Sequence, residues 1–255
     1  MFWLRFRHML ILTNNRREKL IFKCSESGRK HKNKRINNQD VIMSKSNKRY
    51  VVLALADGVS SCKESKKGAY IACAEIVKLL LKKASYFLDY DKDKVAKLVM
   101  EHISYELSNY AFQENVSVTE LSSTLAGVLY DKKTRRMLYF NLGDSMIISV
   151  HEGIYTIVSK PFDSINGCPV TTTKNAYKVI DVDVIDDYDF ESLLILSDGA
   201  WDVILKGENS DSLFRKCIVK NEYDALSNFL REKDCEDDYS FIAYNIEDQY
   251  REVVA

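Results

Sequence analysis

Residues 50–58 read Tyr-Val-Val-Leu-Ala-Leu-Ala-Asp-Gly, an apolar run that stops at Asp57 and Gly58. Residues 193–199, Leu-Leu-Ile-Leu-Ser-Asp-Gly, repeat this arrangement. Short runs of this composition predict strands, and Asp-Gly is common at turns because glycine tolerates positive φ. A single Asp-Gly of this kind indicates only a turn, but several strands that end in a carboxylate indicate a possible site.

Further carboxylates stand near the ends of predicted strands or in short polar segments. Asp144 comes after an apolar run, Asp40 ends Asn-Asn-Gln-Asp, and Asp237 and Asp238 precede the last apolar run. Clustered carboxylates are costly unless a cation neutralises them, and Mg²⁺ or Mn²⁺ prefers oxygen ligands. Two such ions can activate a water and bind a phosphoryl oxygen. The acids therefore predict a divalent-cation site if the strand ends converge.

The remaining pattern predicts an α+β chain rather than a regular βαβ alternation. Four successive runs in the middle of the chain suggest an antiparallel meander. The predicted elements are strands at 19–24 and 50–56, helices at 66–86 and 94–112, meander strands at 123–130, 137–142, 146–151 and 154–158, strands at 177–184 and 193–196, helices at 198–205, 211–219 and 222–232, and a strand at 240–246.

Composition limits the class of protein. Lys plus Arg equals Asp plus Glu, at 37 each, so net charge points neither to nucleic acid nor to a membrane surface. The six cysteines form no CxxC pair, which favours free thiols in a reducing cytoplasm, and no two of the four histidines stand four residues apart, so zinc is not predicted. No apolar run reaches the roughly 18 residues of a membrane span. With two prolines and no linker, residues 17–248 are read as one domain after an extension at 1–16.

Six segments, in this order, resemble the successive motifs of the metal-dependent protein phosphatase 2C family: Arg35–Asp40, Ala56–Val59, Ser122–Leu125, Gly143–Ser145, Leu196–Gly199 and Asp237–Ser240. Residues 57–61 and 166–173 resemble the bacterial branch of that family, the latter its flap. The resemblance covers residues 20–246. It implies a fold of two antiparallel β-sheets packed as a central sandwich between helices.

The resemblance also implies a reaction and its residues. The reaction is hydrolysis of phosphoserine and phosphothreonine on proteins by a water or hydroxide bridging two Mg²⁺ or Mn²⁺ ions, with no covalent intermediate. The partners are a phosphorylated protein and a cognate Ser/Thr kinase. The implied roles are Asp57 bridging both ions, the Gly58 carbonyl on the second ion, Asp198 and Asp237 on the first, Gln39 and Asp40 supporting the metal-bound water, Asp144 on a weaker third ion, and Arg35 on the substrate phosphate.

Three positions depart from the family pattern. Gln39 replaces the usual Glu and loses a charge, and Met146 replaces an Arg. Val59 stands where animal members have a His thought to act as general acid. Since Val cannot donate a proton, water or another group must protonate the leaving oxygen.

Other interpretations stay open at this point. The chain could be a catalytically weak or inactive phosphatase-like module that binds phosphoproteins or scaffolds a complex, although the acids and Arg35 are all present. A metal-dependent nuclease would also use carboxylates and two ions, but should show a basic face. The stretch from Cys24 to Arg29 is similar to a cysteine phosphatase loop, yet has four intervening residues where that loop needs five.

Overall fold

The computed structural model describes residues 20–163, 167–186, 188–206, 217, 220, 222–233 and 235–246. The predicted extension at 1–16 lies outside these residues. So does the predicted helix at 211–219, apart from Cys217, which is helical. Among the described helices, none has both the length and the apolar character needed to cross a membrane.

Ten described strands form two antiparallel sheets of five strands each, which confirms the predicted sandwich. One sheet has the order β1-β10-β9-β6-β7 and the other β2-β3-β4-β5-β8. The strands are β1 (Ile21–Glu26), β2 (Val41–Ser46), β3 (Tyr50–Ala56), β4 (Leu125–Asp131), β5 (Arg136–Leu142), β6 (Met146–His151), β7 (Ile154–Ser159), β8 (Asp181–Ile185), β9 (Ser192–Leu196) and β10 (Tyr239–Asn245).

Helices cover the outer face of each sheet. The described helices are α1 (Arg29–Lys34), α2 (Ser65–Lys82), α3 (Ala84–Asp89), α4 (Lys92–Glu114), α5 (Asp198–Lys206) and α6 (Tyr223–Glu232), with 3₁₀ turns at Val118–Leu121 and Ala176–Lys178. Helices α2, α3 and α4 pack on the β2–β5 side, and α5 and α6 pack on the β9–β10 side. The layer order is therefore helix, sheet, sheet, helix.

The central strands are buried on both faces, which explains their unbroken apolar sequences. In β3, Val51, Leu53 and Leu55 face the other sheet, whereas the intervening residues face the helices. In β9, Leu193 and Ile195 likewise point between the sheets. Side chains alternate along a strand, so a strand between two apolar layers needs apolar residues at every position.

The predicted four-strand meander is wrong. β4 pairs with β5 in one sheet, while β6 pairs with β7 and β9 in the other. The turn at 143–145 carries the chain from one sheet to the other, because both faces of β5 and β6 are buried and two layers are needed to cover them. Gly143 has φ +118°, and a Cβ there would lie 2.6 Å from Thr124 Cγ2, so this crossing requires glycine.

Other element predictions also differ from the structure. Residues 177–184 were predicted as one strand, but a 3₁₀ turn precedes the shorter β8. The helix predicted at 66–86 ends at Lys82 and resumes as α3. Neither α1 nor β2 was predicted, since the sequence Arg-Lys-His-Lys-Asn-Lys of α1 has no apolar periodicity.

Substitution of Gly68 should destabilise the protein, the reverse of the usual effect in a helix. Alanine is normally favoured over glycine by about 1 kcal/mol in a helix interior. At Gly68, however, a Cβ would lie 1.8 Å from the Leu121 carbonyl oxygen. We expect Gly68→Ala to lower the free energy of unfolding by about 1–3 kcal/mol in urea titrations. The control Ser108→Ala, on the exposed face of α4, should stay within about 0.5 kcal/mol of wild type. A more stable Gly68→Ala variant would contradict this packing.

Candidate metal centre

Strand register brings Asp40 and Asp57 together. In the β2–β3 pair Val41 lies opposite Ala56, so Asp40 and Asp57 occupy the next opposed positions. Asp57 is fixed by its own backbone, because its N–H donates to Thr124 Oγ1 and its carbonyl accepts from the Thr124 N–H, each at 2.8 Å. The two carboxylates are therefore placed by the hairpin and its neighbouring loop rather than by flexible side chains.

Asp144 and Asp198 arrive from the other sheet. In the β6–β9 pair Met146 lies opposite Leu196, so the turn that carries Asp144 and the start of α5 at Asp198 share one end of the sheet. Trp201 Nε1 donates to the Asp144 carbonyl at 2.8 Å and ties α5 to that turn. The ends of both sheets thus deliver acids to one place.

The pKa values of these acids reflect how close their carboxylates lie to one another. Burial, followed by the charges of Asp40 and Asp198, raises the pKa of Asp57 well above its ordinary value. Burial raises the pKa of Asp40 to about 7, and burial with the Asp144 charge raises the pKa of Asp198 to about 6. The cluster cannot carry its full negative charge at neutral pH unless cations compensate it.

Several oxygens here are buried and have no hydrogen-bond donor among the described residues. They are both carboxylate oxygens of Asp40, Oδ1 of Asp144 and the Gln39 Oε1. Buried polar atoms are nearly always paired, so orphaned acceptors of this kind need another partner. All the atoms that could coordinate a metal at this site are oxygens, and oxygen ligands suit Mg²⁺ or Mn²⁺. The residues present therefore fit the divalent ions that the sequence resemblance implies.

Asp237 lies at the rim of the cluster. It lines a cavity of about 550 Å³ together with Asp144, Asp198 and Trp201. Its side chain is 47% exposed and forms an ion pair with Lys30 at 3.1 Å. Lys30 is itself half exposed, so this pair costs little to separate. Lys30 was not singled out from the sequence.

Asp238 was noted in the sequence as a carboxylate before the last strand, but its structural role was not predicted. Its buried carboxylate accepts from the Gly28 N–H at 2.8 Å and from the Gln39 N–H at 2.6 Å, and it pairs with His31 Nδ1 at 2.7 Å. Asp238 therefore holds the start of α1 and the Gln39–Asp40 corner against the loop before β10. The only sequence signal was its position beside Asp237.

The Ser122–Thr124 segment and the flap hold the Asp57 loop from the other side. Gly58 forms a β-bridge with Ser123, and the Val59 N–H donates to the Ser122 carbonyl at 3.1 Å. In the flap, the Thr171 N–H donates to the Ser123 carbonyl at 2.8 Å, and the Ser122 and Thr172 hydroxyls lie 2.6 Å apart. Residues 164–166 of the flap lie outside the described residues.

Arg35 is exposed at the end of α1, five residues before Asp40. It adopts the left-handed conformation, with φ 55°, which non-glycine residues occupy at a cost of about 1 kcal/mol. Its guanidinium has no ion-pair partner in the part of the chain that the structure describes. Arg35 is thus an exposed cation close to Asp40 in the chain, and it is not among the buried groups of the cluster.

The cysteine phosphatase interpretation is not supported. Cys24 lies in the middle of β1, buried against α6, and burial raises the pKa of its thiol. Arg29, the other member of the proposed loop, forms an ion pair with Glu236 at 3.0 Å. Cys168, in the flap, is exposed, but partial desolvation and the Asp144 charge raise the pKa of its thiol to about 12, which disfavours the thiolate.

Residues 27–238 match the family model described as protein phosphatase 2C. The chain belongs to the protein phosphatase 2C family. A search of curated protein sequences returns no match.

Solved structures agree with this membership. The serine/threonine phosphatase Stp1 from Staphylococcus aureus superposes with a TM-score of 0.67 and 17% identity, over 89% of this chain and 94% of that one. A serine/threonine phosphatase of S. agalactiae gives 0.64 and 15%, over 89% and 99%. RsbX, crystallised with magnesium, gives 0.59 and 13%, over 89% and 94%. These likenesses show that the phosphatase 2C fold is shared.

Removing one carboxylate should stabilise the metal-free protein at neutral and alkaline pH. The pKa of each of these acids is higher in the folded state than in the unfolded state, so the native state binds more protons. The free energy of unfolding therefore falls as the pH rises from the unfolded pKa through the folded pKa. We expect Asp57→Asn in EDTA to melt a few degrees above wild type at about pH 8, with a smaller difference at about pH 5. Thermal melts at the two pH values measure this.

Asp183→Asn is the matched control, because Asp183 is exposed on the edge strand β8. It should show no such pH-dependent gain. If Asp57→Asn melts below wild type at both pH values, the crowding of charge described above is incorrect.

Proposed function

We propose that this phosphatase 2C chain hydrolyses phosphoserine and phosphothreonine on proteins, with Mg²⁺ or Mn²⁺ as the cofactor. The observation that carries the proposal is the convergence of Asp40, Asp57, Asp144 and Asp198, some of whose buried oxygens have no donor among the described residues. Family membership supports the reaction class.

The ligand assignment follows from position. Asp57 is central to the cluster, because the charges of Asp40, Asp198 and Asp144 all raise the pKa of its carboxylate. A central position suits a residue shared between two ions. Asp198 and Asp237, which line one cavity, would complete the shell of the first ion. The remaining assignments are the Gly58 carbonyl, Gln39 and Asp40 around the second ion, and Asp144 at a weaker third site.

When bound, two divalent ions supply an attacking water of lowered pKa and positive charge beside the phosphoryl oxygens. Asp40, whose carboxylate oxygens have no donor among the described residues, would accept hydrogen bonds from the attacking water and hold it in place. Arg35 can present its fork of N–H donors to two phosphate oxygens from the rim. Val59 cannot act as an acid, so solvent water in the open part of the site protonates the departing serine or threonine oxygen.

Direct attack by water is favoured over a covalent route. The two thiols considered as nucleophiles, Cys24 and Cys168, both have raised pKa values. A phosphorylated protein is the proposed substrate, and a Ser/Thr kinase must first place the phosphate that the site removes. The intact set of acids favours activity over a module that only binds phosphoproteins.

Turnover should require both a divalent ion and the acid set. We expect phosphate release from a phosphothreonine peptide with Mn²⁺, its loss in excess EDTA, and a decrease of at least about 100-fold in kcat for Asp198→Asn. Asp183→Asn, with the same change of charge on an exposed strand, should retain wild-type turnover. Absence of turnover with every divalent ion, in protein with a cooperative melt, would favour the phosphoprotein-binding module.

Arg35→Gly should separate substrate binding from folding. Glycine suits the left-handed backbone at this position, so stability should be retained or raised by about 1 kcal/mol. Loss of a charge-assisted bond of about 1.5–3 kcal/mol should raise KM for the phosphopeptide about tenfold or more. Steady-state kinetics and thermal melts on the same preparation measure both effects. An unchanged KM would remove Arg35 from the phosphate site.

A further inference from the structure

A second group of metal-binding side chains lies outside the acidic centre, between α2 and α4. Glu75 on α2 and His102 and Glu106 on α4 have ligand atoms that all lie within 4.8 Å of one another. His102 and Glu106 are four residues apart, so they project from the same face of α4. The two helices pack side by side, and this places Glu75 opposite that face.

The imidazole of His102 lies at ion-pair distance from Glu75 but makes no hydrogen bond through Nε2 within the described part of the chain. His102 Nε2 is buried and makes no hydrogen bond to any described residue, and Glu75 Oε2 is 3.7 Å away, beyond hydrogen-bond reach. The side chains of Glu75 and His102 are only 23% and 26% exposed, so water does not freely replace the missing partner. A buried nitrogen aimed at two carboxylates is what a metal ligand looks like before the ion is added.

One competing cation is present. Lys78 Nζ contacts the Glu75 carboxylate at 3.1 Å, one turn along α2. Its side chain is 72% exposed, so it can leave Glu75 at little cost. Glu106 and His102 have no such neighbour in the described contacts. The two carboxylates together balance the charge of one divalent ion.

We propose that Glu75, His102 and Glu106 bind one zinc ion. Three protein ligands of mixed nitrogen and oxygen type, with water in the remaining position, are common for Zn²⁺. An imidazole ligand favours zinc and its neighbours among the transition metals over Mg²⁺. This separates the site from the acidic centre, whose ligands are all oxygens. The proposal does not depend on the phosphatase function.

The surroundings permit an ion to reach the site and give it an effect. His102 lines a cavity of about 540 Å³ whose charged lining residues are Lys83 and Glu101, so the group is open on its imidazole side. A bound ion would join α2 to α4. Because α2 packs on β2 and β3, the join would stabilise the layer from which Asp40 and Asp57 project.

The direct test is NMR of the imidazole nitrogens in uniformly ¹⁵N-labelled protein, titrated with ZnCl₂ in excess Mg²⁺. The excess Mg²⁺ competes for the all-oxygen centre. We expect the Nε2 resonance of His102, assigned by its loss in His102→Gln, to shift with the first equivalent of zinc. A titration in which that resonance does not move would overturn the proposal, and would assign the cluster to an ordinary ion pair.

Stoichiometry and stability give a second, independent measurement. Equilibrium dialysis should show one fewer tightly bound zinc in His102→Gln and Glu106→Gln than in wild type, and the zinc-induced rise in Tm should be smaller. Glu114→Gln, an exposed change at the far end of the same helix, should match wild type. Equal zinc content and an equal rise in Tm in all four proteins would refute the site. Mn²⁺-dependent phosphate release should be the same in all four without zinc, so failure here is distinct from failure of the proposed function.

Discussion

Mutual repulsion among the buried carboxylates of Asp40, Asp57, Asp144 and Asp198 is the constraint around which this end of the sandwich is built. Charge of one sign in a poorly solvated space tends to force loops apart. The loops resist because their backbones, rather than long side chains, are bonded to one another. Thr124 holds Asp57 by two hydrogen bonds, and the turn at Gly143 packs directly against Thr124. The acids therefore keep their places at a cost in stability that a bound cation would repay.

The two sheets position their acids in different ways. Asp40 and Asp57 belong to a single hairpin, whose register places them at opposed positions. Asp144 and Asp198 come from the other sheet and depend on contacts such as that of Trp201 with the Asp144 carbonyl. The centre thus spans the interface between the sheets, and the apolar layer between them acts as its support. A change in the packing of that layer would be felt at the site even without a contact to any ligand.

How far the sequence predicted this structure depended on how local each signal was. The bounds of β3 were predicted correctly because both faces are buried and every residue is apolar. Helix α1 was missed because its polar, basic sequence has no apolar periodicity. Strand β2 was missed because its three apolar residues, Val41 to Met43, form too short a run before Ser-Lys-Ser. The acids that end strands were recognised, but the part played by Asp238 was not, since its partners lie about 200 residues away in the chain. The proposed zinc site was not expected from the sequence, because only pairs of histidines were considered, whereas His102 lies beside two glutamates, one from another helix.

Strand β1 pairs with β10, and α1 is held to Cys235 and Glu236 by backbone hydrogen bonds from the N–H groups of Arg29 and Lys30. The first described strand of the chain is therefore completed by the last. During synthesis on the ribosome, β1 keeps an unpaired edge until β10 has emerged, because its partner residues lie far along the chain, as in the pair Ile21–Tyr244. Until then Asp237 and Asp238 are absent, so the hydrogen bond from the Gln39 N–H to the Asp238 carboxylate cannot form. A chain arrested before β10 would expose the unpaired edge of β1, so nascent fragments should tend to associate. Such fragments would also lack Asp237 and Asp238, and should therefore be inactive toward substrates.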